Sequence, residues 1–169
     1  PLFLMERLRH EYEIGKHFNH PHIIAYQGLL QHHHRLAIVT EDFNGKPLAD
    51  CIPDQGFPVG TFLDIALQIV KALIEVHAHN VIHKDLNPYN IVYNEQKRLA
   101  KIIDFGMASK LSQESPGYMK TTLLGGNLPY VAPEQTGRLN RVIDHRTDFY
   151  GLGVTLYEML CGQRPFNSN

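Results

Sequence analysis

The chain has 169 residues, a formal net charge of −1 at pH 7 and 43% hydrophobic residues, which is typical of one globular domain with its own core. This balance excludes the basic surface of a nucleic-acid-binding protein, and no apolar run reaches the roughly twenty residues that span a bilayer. Cys51 and Cys161 are the two cysteines, and because neither has metal-ligand spacing, reduced thiols in a cytoplasmic protein are expected.

The first predicted element is a helix over residues 2–18, where apolar side chains recur at helical spacing. Pro21 ends it, because a residue that precedes proline is pushed out of the helical region.

Two strands, residues 22–31 and 35–43, are predicted to follow around a polar turn. The turn contains His32, His33 and His34, which invites a metal interpretation. Side chains alternate across a strand, so three consecutive histidines cannot all face one ion. A solvated turn is therefore predicted.

A short helical turn over residues 48–52 and a long helix over residues 61–79 are predicted next. Thr61 is a candidate N-cap for the long helix. Its apolar residues form a broad stripe typical of a core helix, namely Phe62, Ile65, Ala66, Ile69, Val70, Leu73 and Val76.

The most informative stretch is His83-Lys84-Asp85-Leu86-Asn87-Pro88-Tyr89-Asn90, followed by Asp104-Phe105-Gly106. Short apolar runs flank both segments, so each is predicted to be a loop between strands. Two adjacent loops can bring the oxygen atoms of Asp85, Asn90 and Asp104 together. Such a set can hold Mg²⁺ and a phosphorylated nucleotide beside an acceptor hydroxyl.

A long irregular tract, residues 109–127, is predicted to be a functional loop. Its candidate phosphorylation sites are Ser112, Ser115, Thr121 and Thr122. Pro129-Tyr130-Val131-Ala132-Pro133-Glu134 follows it, and a helix is predicted from Asp148 to about Leu160, with Gly162 as its stop signal.

The ordered motifs H-x-D-L-x-P-x-N, I-D-F-G, A-P-E and D-x-x-x-L-G-V resemble those of eukaryotic-type Ser/Thr protein kinases. The resemblance covers essentially the whole chain and implies an α+β, two-lobed fold that is mostly the helical C-lobe. Residues 1–43 would be part of the N-lobe, with the regulatory helix, two strands and the hinge. Residues 44–169 would be the hinge exit and the C-lobe through its central helix, without the C-terminal helices that normally follow.

By this resemblance, ATP and Mg²⁺ are the expected cofactors and a protein Ser/Thr hydroxyl is the expected substrate. Asp85 would orient the hydroxyl and accept its proton, while Asn90 and Asp104 would hold the metal. Asn87 stands where such kinases usually carry a phosphate-contacting lysine. Lys84 stands where they carry an arginine that pairs with a regulatory phosphate.

The resemblance also implies binding and structural roles for other positions. Thr40 would be the gatekeeper, and the backbone of Glu41 and Phe43 would bind adenine in a pocket that includes Val92. Glu11 would be the ion-pairing glutamate of the regulatory helix. The remaining implied structural residues are His83, Phe105, Gly106, Glu134 and Asp148.

A closer resemblance is to the N-terminal kinase domain of large hybrid signalling proteins, in which it precedes an ATPase-like module, a sensory domain and often a histidine kinase. It rests on Lys84, Asn87, residues 134–141 and Asp148-Phe149-Tyr150. Additional signalling domains in the same polypeptide are therefore expected.

The chain begins at Pro1, so the Gly-rich loop and the strand lysine that would pair with Glu11 are expected upstream. We expect the 169-residue piece alone to have little or no activity. Asn127 replaces a usual threonine, which bears on hydroxyl-acceptor specificity.

Two alternatives stay open. A pseudokinase module would regulate attached domains without phosphotransfer. A small-molecule phosphotransferase is less favoured, because such enzymes lack the Ala132-Pro133-Glu134 element.

Overall fold

The structure, a computed structural model, describes residues 2–33, 35–113, 128–137 and 141–166. Within these ranges it contains three α-helices and seven short strands. The helices are α1 (Leu2–Gly15), α2 (Val59–Ala78) and α3 (Arg146–Cys161). The strands are β1 (Tyr26–His32), β2 (Arg35–Thr40), β3 (Lys46–Pro47), β4 (Val81–Ile82), β5 (Ile91–Asn94), β6 (Leu99–Ile102) and β7 (Ser109–Lys110).

The strands form three small antiparallel units. β1 and β2 make a hairpin, in which Tyr26 lies opposite Thr40 and His32 opposite Arg35. β5 lies between β3 and β6, and β4 pairs with β7. A parallel bridge between Ile23 and Ile102 connects the chain before β1 to β6. Helices beside antiparallel strand pairs confirm the α+β class expected from the sequence.

Helix α2 supplies much of the core, as its apolar stripe predicted. Ile65, Ile69 and Val76 are at most 1% exposed, and they belong to one apolar cluster with Leu48 and Met159. Burial of side chains of this size stabilises the fold by about 1.5–3 kcal/mol each.

The predicted N-cap of α2 is wrong. The helix begins at Val59, two residues before Thr61, and its N-cap is Pro58, which makes no side-chain cap hydrogen bond. Pro58 has a non-helical ψ of 141°, and the helix begins directly after it, two residues before the hydroxyl cap that the sequence indicated.

Other predicted boundaries differ by a few residues. α1 ends at Gly15 rather than residue 18, and the hairpin strands are shorter than predicted because the segments before Tyr26 and after Thr40 do not pair in the ladder. α3 begins at Arg146 and ends as predicted, with Gly162 in the left-handed region at φ 72°.

Several sequence predictions fall outside the described residues. These are Ser115, Thr121, Thr122 and Asn127, together with His34 of the histidine turn and residues 138–140. Ser112 is described and lies exposed in a short 3₁₀ turn, Leu111–Gln113. No helix among the described residues has the length and apolarity to cross a membrane.

Candidate functional site

The segment from His83 to Asn90, here called the Asp85 loop, holds the Asp85 carboxylate between two asparagine amides. Nδ2 of Asn87 donates to Asp85 Oδ1 (2.8 Å) and to the Asp85 carbonyl (3.0 Å). Nδ2 of Asn90 donates to Asp85 Oδ2 (2.9 Å) and to the same carbonyl (2.8 Å). Each carboxylate oxygen therefore has a fixed donor, which sets the plane of the carboxylate.

Asn87 owes its position to a local turn. It precedes the 3₁₀ turn Pro88–Asn90 as its N-cap, and its side-chain oxygen accepts the Tyr89 N–H at 2.9 Å. The residue is completely buried. Its amide group is thus occupied on both sides by the Asp85 loop itself.

The backbone of the Asp85 loop is fixed by Asp148, at the start of α3. The Asp148 carboxylate is 1% exposed and accepts the N–H groups of His83 (2.9 Å) and Lys84 (2.8 Å). His77 of α2 bonds the same carboxylate at 2.8 Å. Lys84 has a left-handed φ of 66°, a strained conformation that these contacts hold in place.

Two further contacts fix this loop from its far side. Nε2 of the buried Gln135 donates to the Lys84 carbonyl at 2.8 Å, which ties the 3₁₀ turn Pro133–Thr136 to the loop. A Cβ atom added at Gly151 would lie 2.5 Å from the Leu86 carbonyl, so α3 passes directly against the loop backbone.

The Asp104 loop, Asp104 to Gly106, lies beside the Asp85 loop. The Ile103 N–H donates to the Asn90 carbonyl at 2.9 Å, which joins the two loops. Asp104 has a left-handed φ of 59°, and its Oδ1 accepts the Gly106 N–H at 3.0 Å. Arg7 of α1 reaches Asp104 Oδ2 at 3.4 Å.

Phe105 is fully buried and connects three parts of the fold through its ring. Its ring centroid lies 4.9 Å from that of Phe18, 5.0 Å from that of His83 and 6.3 Å from that of Tyr26. Nε2 of His83 also lies 3.0 Å from the Ile103 carbonyl. The Asp85 loop, the segment that follows α1 and the start of β1 are therefore packed against one aromatic side chain.

A cavity of about 400 Å³ lies next to the Asp104 loop. Six residues predicted from the sequence line it, namely Glu11, Thr40, Glu41, Phe43, Val92 and Asp104. The residues in its wall that the sequence did not point to are Ile24, Tyr26, Asn44, Gly45 and Ile103. Asp85 and Asn90 are not in this wall.

The segment after β2 leaves backbone groups available to a ligand. The Glu41 N–H donates to the Ala25 carbonyl, and the Phe43 carbonyl accepts from Asn94. Among the described residues, none forms a hydrogen bond with the Glu41 carbonyl or the Phe43 N–H. This segment therefore offers one backbone acceptor and one backbone donor at the cavity, and such groups can orient a bound ligand.

The Glu41 side chain faces β6 instead of a ligand. Its carboxylate accepts from Nζ of Lys101 at 2.6 Å and from the Ala25 N–H at 2.8 Å. Burial acts to raise the pKa of Glu41, but these two hydrogen bonds, together with the positive charges of Lys101 and Lys97, hold that pKa below its ordinary value.

Glu11 adds its carboxylate to the cavity wall, which also contains Asp104. Burial raises the pKa of Glu11, and the negative charge of Asp104 raises it further. The hydrogen bond from Tyr26 and the charge of Arg7 oppose this rise. Besides Glu41, which is paired with Lys101, the cavity wall thus contains the carboxylates of Glu11 and Asp104, and this part of the cavity favours positive charge.

The oxygen donors of Asn90 and Asp104 suit a hard divalent cation such as Mg²⁺. Nδ2 of Asn90 is directed to Asp85, which leaves its amide oxygen as the atom that can ligate. Among the described residues no group of three or more His, Cys, Asp or Glu could hold a metal ion. A cation here would thus rely on few protein ligands, as Mg²⁺ bound to phosphates does.

Glu134 lies away from the cavity, and its Oε1 accepts the Thr147 hydroxyl at 2.8 Å. The sequence did not predict the site contacts of three residues, namely Arg7, Tyr26 and Gln135. Each contacts a residue distant in the chain, so only the fold could identify it.

Comparison with known proteins places these motifs in a family. The model of the protein kinase domain family matches residues 4–169. The chain is 36% identical over 166 residues, 96% of its length, to Calcium-dependent protein kinase 5 of Plasmodium falciparum. It is 30% identical over 164 residues, also 96%, to Serine/threonine-protein kinase PrkC of Bacillus subtilis.

A third relative is Serine/threonine-protein kinase nekl-2 of Caenorhabditis elegans, 32% identical over 170 residues, which include 95% of this chain. The chain spans 28% of the Plasmodium protein, 24% of the Bacillus protein and 46% of the nematode protein. It thus spans less than half the length of these curated relatives.

Proposed function

The chain belongs to the protein kinase family, as a serine/threonine-protein kinase domain, and from this premise we propose that it transfers the γ-phosphate of ATP to Ser or Thr hydroxyls of proteins. The observation that carries the proposal is the Asp85 carboxylate, whose two oxygens are held by Asn87 and Asn90 on a loop braced by Asp148. A preoriented carboxylate is what a hydroxyl acceptor needs.

Nucleotide binding is assigned to the cavity. The Glu41 carbonyl and the Phe43 N–H would bind the adenine edge, with Thr40 and Val92 in the surrounding wall. Asn90 and Asp104 would hold Mg²⁺, which when bound neutralises charge on the phosphates. Glu11, at the same cavity, would take a cationic partner.

The proposed transfer follows from the position of Asp85. Its carboxylate accepts a hydrogen bond from the acceptor hydroxyl and takes the proton as the hydroxyl oxygen forms a bond to the γ-phosphorus. The bond between the γ-phosphorus and the bridging oxygen breaks, and ADP leaves with that electron pair. Asn87 and Asn90 would keep the plane of the Asp85 carboxylate fixed during the transfer, through their hydrogen bonds to its two oxygens.

The other implied residues support this geometry. Asp148 would brace the loop, and His83 and Phe105 would couple it to Phe18, just after α1, through ring contacts of 5.0 and 4.9 Å. A Cβ atom at Gly106 would lie 2.6 Å from Nε of Arg7, so a side chain there would displace the Arg7 guanidinium that reaches Asp104. Glu134 would anchor the segment that holds a protein substrate.

The proposal is tested with radiolabelled ATP and the full-length protein that contains this chain. Asp85→Asn should reduce label transfer to a protein substrate by at least a hundredfold, because general-base catalysis contributes about 10²–10⁴-fold. Asp54→Asn is the matched control, since Asp54 is exposed. Equal transfer by wild type and Asp85→Asn would remove Asp85 from the mechanism.

A regulatory module without phosphotransfer is the second candidate, and Asn87 favours it. This position offers a neutral amide that is occupied by Asp85 and Tyr89, so it supplies no positive charge to a phosphate. Electrostatic groups at such positions contribute several kcal/mol in comparable sites (about 3–4). If wild type binds ATP without transferring label and Asn87→Lys gains transfer, this second candidate is correct.

We also propose that residues 1–43 and 44–169 act as the two lobes around the cavity, in a cytoplasmic protein with further signalling domains. Lys84 and Asn87 favour the hybrid type that includes a histidine kinase. Sequencing of the full-length gene tests the additional domains, and cell fractionation tests the location.

A further inference from the structure

Tyr26 lies in the cavity wall, yet none of the roles above uses it. It begins β1 opposite Thr40, next to an irregularity in the ladder. The preceding residue, Ala25, exchanges hydrogen bonds with Glu41 of 2.8 and 2.9 Å. The backbone that presents the Tyr26 side chain is therefore fixed to the residue that follows β2.

The ring of Tyr26 occupies the space above Gly15 of α1. A Cβ atom added at Gly15 would lie 2.4–2.6 Å from three atoms of this ring. Gly15 provides this space, because a Cβ atom does not approach non-bonded carbon atoms so closely and would displace the ring. The ring also lies edge-on to Phe105, with centroids 6.3 Å apart.

The Tyr26 hydroxyl donates to Oε1 of Glu11 at 2.9 Å. Burial, and next the charge of Glu11, raise the pKa of Tyr26 well above its ordinary value, so the hydroxyl stays a donor at any physiological pH. Glu11 faces the negative charge of Asp104, which acts against a carboxylate in this place. A neutral donor offsets that repulsion without occupying the position of a cation.

We propose that Tyr26 is a positioning residue of the nucleotide site: its hydroxyl holds the Glu11 carboxylate at the cavity, and Gly15 provides the space for its ring. The inference rests on the proposed function, since it assigns Glu11 to the nucleotide-binding side of the reaction. Tyr26 acts on ATP through Glu11 and leaves the Asp85 loop unchanged. Binding of ATP, rather than the transfer step, is what depends on it.

The test compares Tyr26→Phe with wild type in the full-length protein, because this change removes the hydroxyl and keeps the ring above Gly15. Equilibrium binding of ATP with Mg²⁺ and steady-state phosphotransfer are measured together. We expect Kd and KM for ATP to rise about five- to tenfold, with kcat changed less than about twofold. This is less than the full effect of losing a hydrogen bond to a charged group, because Tyr26 acts on ATP only through Glu11. Tyr157→Phe is the control, since Tyr157 is 44% exposed on α3.

A double-mutant cycle separates positioning from mere packing. In a Glu11→Gln background, Tyr26→Phe should cause no further loss of ATP affinity, because its effect passes through the carboxylate. The same loss in both backgrounds would overturn the inference. So would equal affinities of wild type and Tyr26→Phe.

Failure of the proposed function gives a different result. If wild type itself binds no ATP, the proposed function fails, and the role of Tyr26 at the nucleotide site fails with it. If wild type binds ATP and Tyr26→Phe binds it with the same affinity, the proposed function stands and the inference alone is wrong. Gly15→Ala provides a second variant and should weaken ATP binding at least as much as Tyr26→Phe.

Discussion

Replacement of Asn87 by aspartate tests whether the Asn87 and Asn90 amides hold the Asp85 carboxylate, because it removes one of the two donors. The variant keeps the shape of the side chain and the oxygen that accepts the Tyr89 N–H. It replaces Nδ2, which lies 2.8 Å from Asp85 Oδ1, by an oxygen. Two carboxylate oxygens then face each other in a buried position.

The expected effect can be worked from two contributions. Loss of a hydrogen bond to a charged group costs about 1.5–3 kcal/mol. Two unit charges with centres about 5 Å apart repel by about 3 kcal/mol at an effective dielectric constant of about 20. Uptake of a proton by the pair limits the total, so we expect Asn87→Asp to lower the free energy of unfolding by about 4 kcal/mol at pH 7.

Denaturant unfolding at pH 7 measures this free energy, and it does so independently of any activity. Asn19→Asp is the matched control, because Asn19 is exposed and should change stability by less than about 0.5 kcal/mol. An Asn87→Asp variant within about 1 kcal/mol of wild type would contradict the reasoning, because Asn87 would then not bond Asp85 as described.

Three further predictions concern Asp148, Gly151 and Asp144. Asp148→Ala should lower the free energy of unfolding by about 3 kcal/mol in denaturant titrations, because two buried N–H groups lose their acceptor; an unchanged midpoint would contradict this. Gly151→Ala should lower the thermal midpoint, since its Cβ would lie 2.5 Å from a loop carbonyl, whereas Gly153→Ala, with nothing within 4 Å, should leave it unchanged or raise it slightly.

The third concerns pH. Hydrogen bonding by Arg146 lowers the pKa of Asp144 from 3.8 to about 2. A depressed carboxyl pKa means that the stability contributed by this pair is complete above about pH 4 and is lost as the pH falls through about 2. Arg146→Gln should bring the pKa of Asp144, measured by NMR titration, back toward its ordinary value, and a pKa that stays near 2 would assign the shift to another group.

Much of the fold followed from local patterns. The apolar stripe of α2 predicted which face is buried, and Ile65, Ile69 and Val76 lie in the core accordingly. Gly162 ended α3 as predicted. The start of α2 was missed because a plausible hydroxyl cap, Thr61, competed with Pro58, and a proline start carries no side-chain bond to signal it.

Motif order by itself determined the family and the two loops that carry Asp85 and Asp104. These residues lie within short, self-contained turns, where spacing in the sequence limits spacing in the fold. The sequence also pointed to six side chains that the structure places in one cavity, although it could not show how they approach one another.

Only the tertiary structure decided which side chains act on these loops. Asn87 was read as a missing cation, but in the fold its amide is bonded to Asp85. Tyr26 reaches Glu11, and Arg7 reaches Asp104, 97 residues away. Such contacts depend on how several packed elements orient their side chains, and periodicity identifies the face of an element without naming its partner.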